Sequence, residues 1–299
     1  MQIPLLPDEL HTTDRPSATA QWTTLVRALE LARRPEDRIA SDEYAPMFLT
    51  APYRALLESL RLGSPLVRLA ERHELAGIST YVLLRHRFID EQLHQALAGG
   101  AEQVVVLGAG YDSRAYRFAD ELHGRPVHEV DLAPLSRRKA EIVAAHPDEF
   151  GGNRIRRIEI DFRTESLADR LLDSGFSVGV RTVVVWEGVS MYLSHLDISA
   201  TLATLREVCG PASTLAMDFW SEPTGAHPYD HVRRAATQAI RLIGEPVTFG
   251  VAPEKVTAFL DRHGFDVTEL LESIELAARY STGGRPSEKS LYVVAAQLR

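Results

Sequence analysis

At 299 residues, 45% hydrophobic and 25% charged, with a formal net charge of -8, the chain has the composition of a folded globular protein and the length for one large α/β domain. The acidic balance, and the lack of any basic run interleaved with aromatics, exclude an electrostatic grip on nucleic acid, and no stretch of about 18 apolar residues is present to span a membrane. A single cysteine, Cys209, excludes an internal disulfide and a four-thiolate zinc site, and reads as a small core residue.

The opening 20 residues, with Pro4, Pro7 and Pro16, read as an irregular arm. They lack the basic start and apolar core of a signal peptide, so the cytoplasm is the expected compartment. From Gln21 to Arg34 the apolar positions Trp22, Leu25, Val26, Leu29 and Ala32 recur at helical spacing, and Pro35 ends that helix. Two further helical stretches are expected between Pro52 and Leu75. Ile78 to Ala98 is a helix whose inward face carries Tyr81, Leu84, Arg85, Phe88, Ile89, Leu93 and Leu97. Arg85 therefore falls among apolar residues, where its permanent charge demands an anion or several acceptors. Arg87 falls on the polar side with Asp90, Glu91 and His94.

After Gly99-Gly100 the pattern changes to strands alternating with helices. Strands are expected at Gln103–Leu107, Val127–Val130, Arg154–Ile160, Thr182–Trp186, Thr214–Phe219, Asp266–Leu271 and Ser290–Gln297. Helices are expected at Ser113–Leu122, from Pro134 to about Ala145, at Leu196–Val208 and at Pro253–His263. This order predicts an α/β fold with a doubly wound, mainly parallel, seven-stranded sheet, the last two strands forming an antiparallel edge. Residues 21–299 then form one domain, a helical cap over 21–99 on a core over 100–299, with an insertion near 221–250.

Four clusters fall at the carboxyl ends of strands, where open α/β sheets bind ligands. Gly108-Ala109-Gly110 lets the backbone turn sharply and admits a ligand against the main chain. Asp131, about twenty residues further on, can accept hydrogen bonds from ribose hydroxyls, with Leu132 beside it. A dinucleotide fingerprint wants a third glycine where this chain has Ser113, which favours S-adenosylmethionine, a nucleotide without a pyrophosphate. Asp161-Phe162 could meet an adenine, or be a strand-ending carboxylate beside a core aromatic. Glu187-Gly188 can receive a cationic amino group. Tyr192 is either a pocket phenol or a packed aromatic with a wet hydroxyl.

The runs Arg85-His86-Arg87-Phe88-Ile89-Asp90, Gln103 through Gly108-Ala109-Gly110-Tyr111-Asp112-Ser113-Arg114-Ala115-Tyr116-Arg117, Glu129-Val130-Asp131-Leu132 with Lys139, and Glu187-Gly188 through Tyr192-Leu193 together resemble the leucine carboxyl methyltransferase family. The likeness extends from about Thr19 to the end of the chain. It implies a class I, Rossmann-like S-adenosylmethionine-dependent methyltransferase with an N-terminal helical cap and S-adenosylhomocysteine as product; separately, no paired metal-ligand spacing occurs in the sequence, so no metal is expected. The likeness further implies that Arg85 binds the methionine carboxylate, with Arg27 as a second carboxylate ligand. Gly108 and Gly110 would pass close to methionine and ribose, Asp131 would hold the ribose, Asp161 and Phe162 the adenine end, and Glu187 the amino group. Asp42-Glu43-Tyr44 departs from the family's usual Asp-Pro-Tyr.

The expected reaction is O-methylation of a small-molecule carboxylate, such as that of a polyketide or other natural product. A phenol or alcohol acceptor on the same scaffold, or a protein C-terminal carboxylate, are the alternatives. A carboxylate needs orienting groups, for which Arg117, Tyr192 and Arg279 are candidates. A hydroxyl needs a base near pH 7, for which His195, His227 and His231 are candidates. Trp220, Tyr229 and Phe249 fit an aromatic-tolerant pocket and core packing equally. The expected partner is a small-molecule acceptor, with neither nucleic acid nor membrane, and self-association is left open.

Overall fold

The computed structural model describes residues 18–61, 75–151, 154–161, 164–222, 225, 230, 231, 234, 237, 238, 247–281, 285 and 287–299. Among the described residues, α1 (Ala18–Glu30), α2 (Ala51–Arg61) and α3 (Leu75–Ala98) precede the sheet. The second helical stretch expected before Leu75 lies outside the described residues. The two most apolar runs of the sequence, β1 (Gln103–Leu107) and β4 (Thr182–Trp186), pair in parallel and are buried at every position. A strand covered on both faces needs no polar alternation, which is why both read as continuous runs.

Short helices α4 (Arg114–Arg117) and α5 (Ala119–Leu122) follow β1, then β2 (Val127–Asp131), α6 (Ala133–Ala145), β3 (Ile155–Glu159) and α7 (Leu167–Asp173). After β4 come α8 (His195–Val208), β5 (Thr214–Trp220), α9 (Pro253–Arg262), β6 (Phe265–Glu272), α10 (Ser273–Tyr280) and β7 (Leu291–Leu298). The seven strands lie in the order β3-β2-β1-β4-β5-β7-β6. β1 to β5 are mutually parallel; β7 runs antiparallel to both β5 and β6. The apolar β7, buried almost throughout, takes the inner position, and the mixed Asp-Val-Thr-Glu-Leu-Leu-Glu sequence of β6 takes the edge.

Alternate strand residues feed two cores, as the period-two pleat requires. Val104, Val106, Val183, Val185 and Ala216 join Leu84, Phe88 and Leu93 of α3 on one face. Val105, Leu107, Val184, Trp186, Leu215 and Met217 join Leu171, Leu202, Leu205, Val256 and Leu260 from α7, α8 and α9 on the other. Cys209 is buried on this second face, and burial pushes its thiol up to about 12. A smaller aromatic cluster of Phe48, Tyr111, Tyr116 and Phe150 fastens the N-terminal segment to the core.

Several elements differ from the sequence reading, among them α7, which none of the expected helices covers. The first helix ends at Glu30, short of Arg34. The helix expected over Ser113–Leu122 is two short ones that meet at Phe118, whose backbone (φ -101, ψ 26) leaves the helical region. The arginines of the first, Arg114 and Arg117, are both tied to Asp90 of α3, a tertiary tether that no periodicity reports. Helix α10 has no counterpart among the expected elements. Its signal was a capping box, in which Glu275 accepts from the Glu272 N–H, followed by Leu276, Ala277 and Tyr280 on one face.

Candidate active site

From β1 the chain winds outward to β2 and β3, and β4 then restarts it on the other side of β1. The carboxyl ends of β1 and β4 therefore flank the point where the winding reverses, the usual ligand crevice of an open α/β sheet. Gly108 and Gly110 sit there with φ of 63° and 42°, a region that L side chains enter at a cost. A Cβ on Gly108 would lie 2.3 Å from Cγ2 of Val189, so the loop after β4 rests directly on the glycine turn. Gly108 and Ala109 donate their N–H groups to the Val130 carbonyl. Gly110 and Leu132 donate theirs to the carboxylate of Asp131, at 2.5 and 2.7 Å. Asp131 thus joins the turn after β1 to the start of α6. Burial raises its carboxyl to about 6, although those two N–H groups pull it down.

Beneath this turn lies a buried ionic network that joins α3, the turn after β1, the turn after β4, and β5. Arg85 donates through Nε to Glu187 at 3.0 Å and through Nη1 to Asp218 at 2.7 Å. The anion that its buried position demanded is supplied, in the structure, by these two carboxylates. Arg114, with 1% of its side chain exposed, meets Asp90 and Glu187 at 2.7 Å each and also Asp112. Arg117 meets Asp90 at 2.7 Å and the Ser41 carbonyl. Three guanidiniums (Arg85, Arg114 and Arg117) therefore face four carboxylates (Asp90, Asp112, Glu187 and Asp218).

His86 sits inside this network, with Nδ1 3.2 Å from Glu187 and Nε2 2.8 Å from Arg117 Nη2. Arg117 can only donate, so Nε2 accepts from it, while Nδ1 faces both the Arg114 Nη2 donor at 2.8 Å and the Glu187 carboxylate. Burial, reinforced by Arg114, pushes the imidazole below its ordinary value and favours the neutral ring. Glu187 is held well below the usual carboxylate range: burial opposes ionisation, but Arg114, His86 and Arg85 outweigh it. Asp218 is raised, because burial there outweighs Arg85 and the Gly188 N–H.

The other candidates divide. Arg27 is buried and bonds Asp42 at 2.5 Å and the Tyr111 carbonyl at 2.9 Å, which ties α1 to the glycine turn. Asp161 lies beyond β3 at the same sheet edge, its N–H donated to Glu165, while the preceding Ile160 N–H bonds the Asp131 carbonyl. Phe162 lies outside the described residues, as do His227 and Tyr229. Tyr192, 36% exposed, and His195, edge-on to Phe249 at 4.7 Å, stand on the turn after β4 and at the start of α8. His231 is exposed in the segment after β5.

Several expectations are corrected. Arg117 is engaged by Asp90, His86 and Ser41, and Arg279 by Glu91 and Glu269, so neither guanidinium stands ready to orient an acceptor. Asp90, assigned to the polar side of α3, turns onto Arg114 and Arg117, whereas Arg87 does stay exposed. Phe249 packs with Phe219 and Phe259 in the second core, and Trp220 is buried with its indole N–H on Thr237, so both are core residues. Sequence reasoning passed over Asp218, Asp112, Arg114 and His86 as site residues. The signal available was a crowd of charged residues inside otherwise apolar segments, above all Asp218 within Thr-Leu-Ala-Met-Asp-Phe-Trp.

The sequence model of the leucine carboxyl methyltransferase family matches residues 20–206, which takes in most of α1, the ionic network up to Glu187 and the turn after β4. The chain belongs to the leucine carboxyl methyltransferase family. A candidate S-adenosyl-L-methionine-dependent methyltransferase of Rhodococcus jostii is 32% identical over 295 residues, covering 93% of this chain and 94% of that one. A similar candidate from Streptomyces avermitilis is 29% identical over 90% of this chain and 88% of its own. In fold, the chain is similar to a candidate methyltransferase from Thermobifida fusca (TM-score 0.56, 14% identity, 99% of this chain and 100% of that one). A Streptomyces avermitilis protein gives a TM-score of 0.57 at 12% identity, over 92% of this chain and 97% of its own. The fold is that of class I methyltransferases, and the family is one that uses S-adenosyl-L-methionine. Among the described residues no group of three or more His, Cys, Asp and Glu is placed to hold a metal, and no helix is long and apolar enough to cross a membrane.

Proposed function

We propose that this leucine carboxyl methyltransferase family member methylates an oxygen of a small-molecule carboxylate, such as that of a polyketide or other natural product. The donor-set chemistry of the crevice fits the cofactor. A cationic fork (Arg85) and an anion (Glu187) lie side by side at the carboxyl edge and suit an amino-acid zwitterion. The Asp131 carboxylate suits ribose hydroxyls, and Asp161 lies next along the edge toward β3 for the adenine end, with Phe162 following it in sequence. Arg27, bonded to the carbonyl of Tyr111, fixes the glycine turn in this reading rather than reaching the carboxylate itself.

The cofactor supplies an electrophilic methyl group on a sulfonium. The protein's share is to align that methyl with the acceptor and to exclude water. A carboxylate acceptor is ionised at neutral pH and needs no base. The observation that carries this choice is the setting of His195: its ring packs edge-on against Phe249, and no carboxylate among the described residues is bonded to it as an orienting partner. Tyr192, on the turn that precedes α8, is the phenol that this reading assigns to an acceptor oxygen.

The first test is calorimetric binding of S-adenosylhomocysteine to the wild type and to Arg85→Ala, with thermal melts of both to establish folding. Micromolar binding by the wild type, weakened tenfold or more by the substitution (about 1.4 kcal/mol), is the expected result. A folded wild type that binds nothing would end the cofactor reading. With a carboxylate acceptor the pH-rate profile is expected to be flat above about pH 6; a rise tracking a histidine would instead favour a hydroxyl acceptor.

A further inference from the structure

The geometry points to Asp218 as the positioning residue that aims the Arg85 guanidinium at the carboxylate of the cofactor's methionine moiety. The inference rests on the cofactor reading above. Asp218 lies in β5 with 0% exposure, in a strand whose other side chains are apolar but for Thr214. An isolated carboxylate in such a place is expensive, and it persists only where its partners are well made.

Both of its oxygens are used. Oδ2 accepts from Arg85 Nη1 at 2.7 Å, and Oδ1 accepts from the backbone N–H of Gly188 at 2.6 Å. Its own main-chain carbonyl accepts from the Ser190 hydroxyl at 2.7 Å. One residue of β5 therefore fixes the arginine from α3 and the turn that carries Glu187.

The planar fork of an arginine leaves few ways to satisfy these contacts. Glu187 takes Nε and Asp218 takes Nη1, while Nη2 makes no hydrogen bond to any described residue. Nη2 lies over Gly188: a Cβ at that position would meet it at 3.0 Å and Nη1 at 3.1 Å. Gly188 holds φ 72°, and its missing side chain keeps this edge of the guanidinium uncovered. Asp218 and Glu187 grip two edges, and the third is presented to the crevice. Without Asp218 the guanidinium could rotate about its long side chain to bind Glu187 through two edges at once, which would withdraw Nη2.

The test compares wild type with Asp218→Asn, which keeps an oxygen for the Gly188 N–H and removes the charge that holds Nη1. Two probes are titrated calorimetrically: S-adenosylhomocysteine, and its decarboxylated analogue, which lacks the carboxylate that Arg85 would receive. The expected result is a loss of tenfold or more for S-adenosylhomocysteine and less than twofold for the analogue. An equal loss for both probes, or no loss for either, would overturn the positioning role while leaving the cofactor reading intact. Failure of the wild type to bind S-adenosylhomocysteine would overturn the cofactor reading and this inference with it. Asp218→Glu serves as the second variant, since its longer carboxylate restores the charge; recovery of part of the lost affinity is expected, and a loss as deep as that of Asp218→Asn would count against the proposal.

Discussion

Replacing Arg114 by methionine removes the hub of the ionic network with little change in volume. Three carboxylates lose a partner, but not equally. Asp90 keeps Arg117, and Glu187 keeps Arg85 and His86. Among the described residues, Asp112 keeps as a hydrogen-bond donor only the backbone N–H of residue 114. Breaking a buried pair typically costs about 3–5 kcal/mol, chiefly through the charge left behind. With one carboxylate truly orphaned, the expected loss is near the lower end, ~3 kcal/mol, against a total stability on the order of 5–15 kcal/mol. At roughly 2–4 °C per kcal/mol for a protein approaching this size, Tm falls by roughly 6–12 °C. Urea unfolding followed by circular dichroism measures it.

The pH dependence checks the cause. Burial pushes the Asp112 carboxyl up, but Arg114, together with Lys139 and His86, more than offsets this and holds it below its ordinary value. A carboxylate depressed in the folded state stabilises above its unfolded value, about 3.9, and loses that stabilisation as pH falls through the depressed one. The gap between wild type and variant should therefore be full at pH 7 and narrow below about pH 4. Adding Asp112→Asn to Arg114→Met should recover part of the loss at pH 7, since no orphaned charge remains. A loss under ~1 kcal/mol at pH 7, or a gap that does not change with pH, would refute the account of the network as a set of desolvated pairs.

Gly108→Ala meets both a left-handed backbone and the stiff, branched side chain of Val189, and should cost about 1–2 kcal/mol from the backbone alone. Adding Val189→Ala should relieve the steric excess in a thermal melt and leave the backbone part. Because Asp131 titrates near 6 and its ionised form is the better acceptor for ribose hydroxyls, binding of S-adenosylhomocysteine should be level above about pH 7. Below pH 6 it should weaken by up to tenfold per pH unit, and calorimetry at pH 5, 6 and 7 checks the slope. Lys139→Met removes the buried ammonium 2.7 Å from Glu129 and leaves that carboxylate only the half-buried Arg157 at 3.4 Å, so it should cost up to about 3 kcal/mol in urea unfolding. Adding Glu129→Gln should restore most of it.

The sequence by itself determined the strands of the sheet and the edge where the site would form. Gln103–Leu107 and Thr182–Trp186 are too apolar and too short to be anything but strands covered on both faces, and glycine and acidic residues at strand ends mark ligand-binding positions whatever the partners. It also gave Arg85 as a buried cation in need of an anion, since three- and four-residue spacing puts it on the apolar stripe of its helix.

Only the tertiary structure decided which anion. Asp218 lies 133 residues from Arg85 and Glu187 lies 102 residues away, separations across which no local pattern carries pairing information. The same holds for Asp90, which helical periodicity put on the wet side of α3 until α4 brought Arg114 and Arg117 against it. The insertion of β7 between β5 and β6, likewise, is a matter of which strand can be buried on both edges, and that is fixed only when the whole sheet is assembled. Charge placement within a segment is local chemistry, whereas charge compensation is a property of the packed chain.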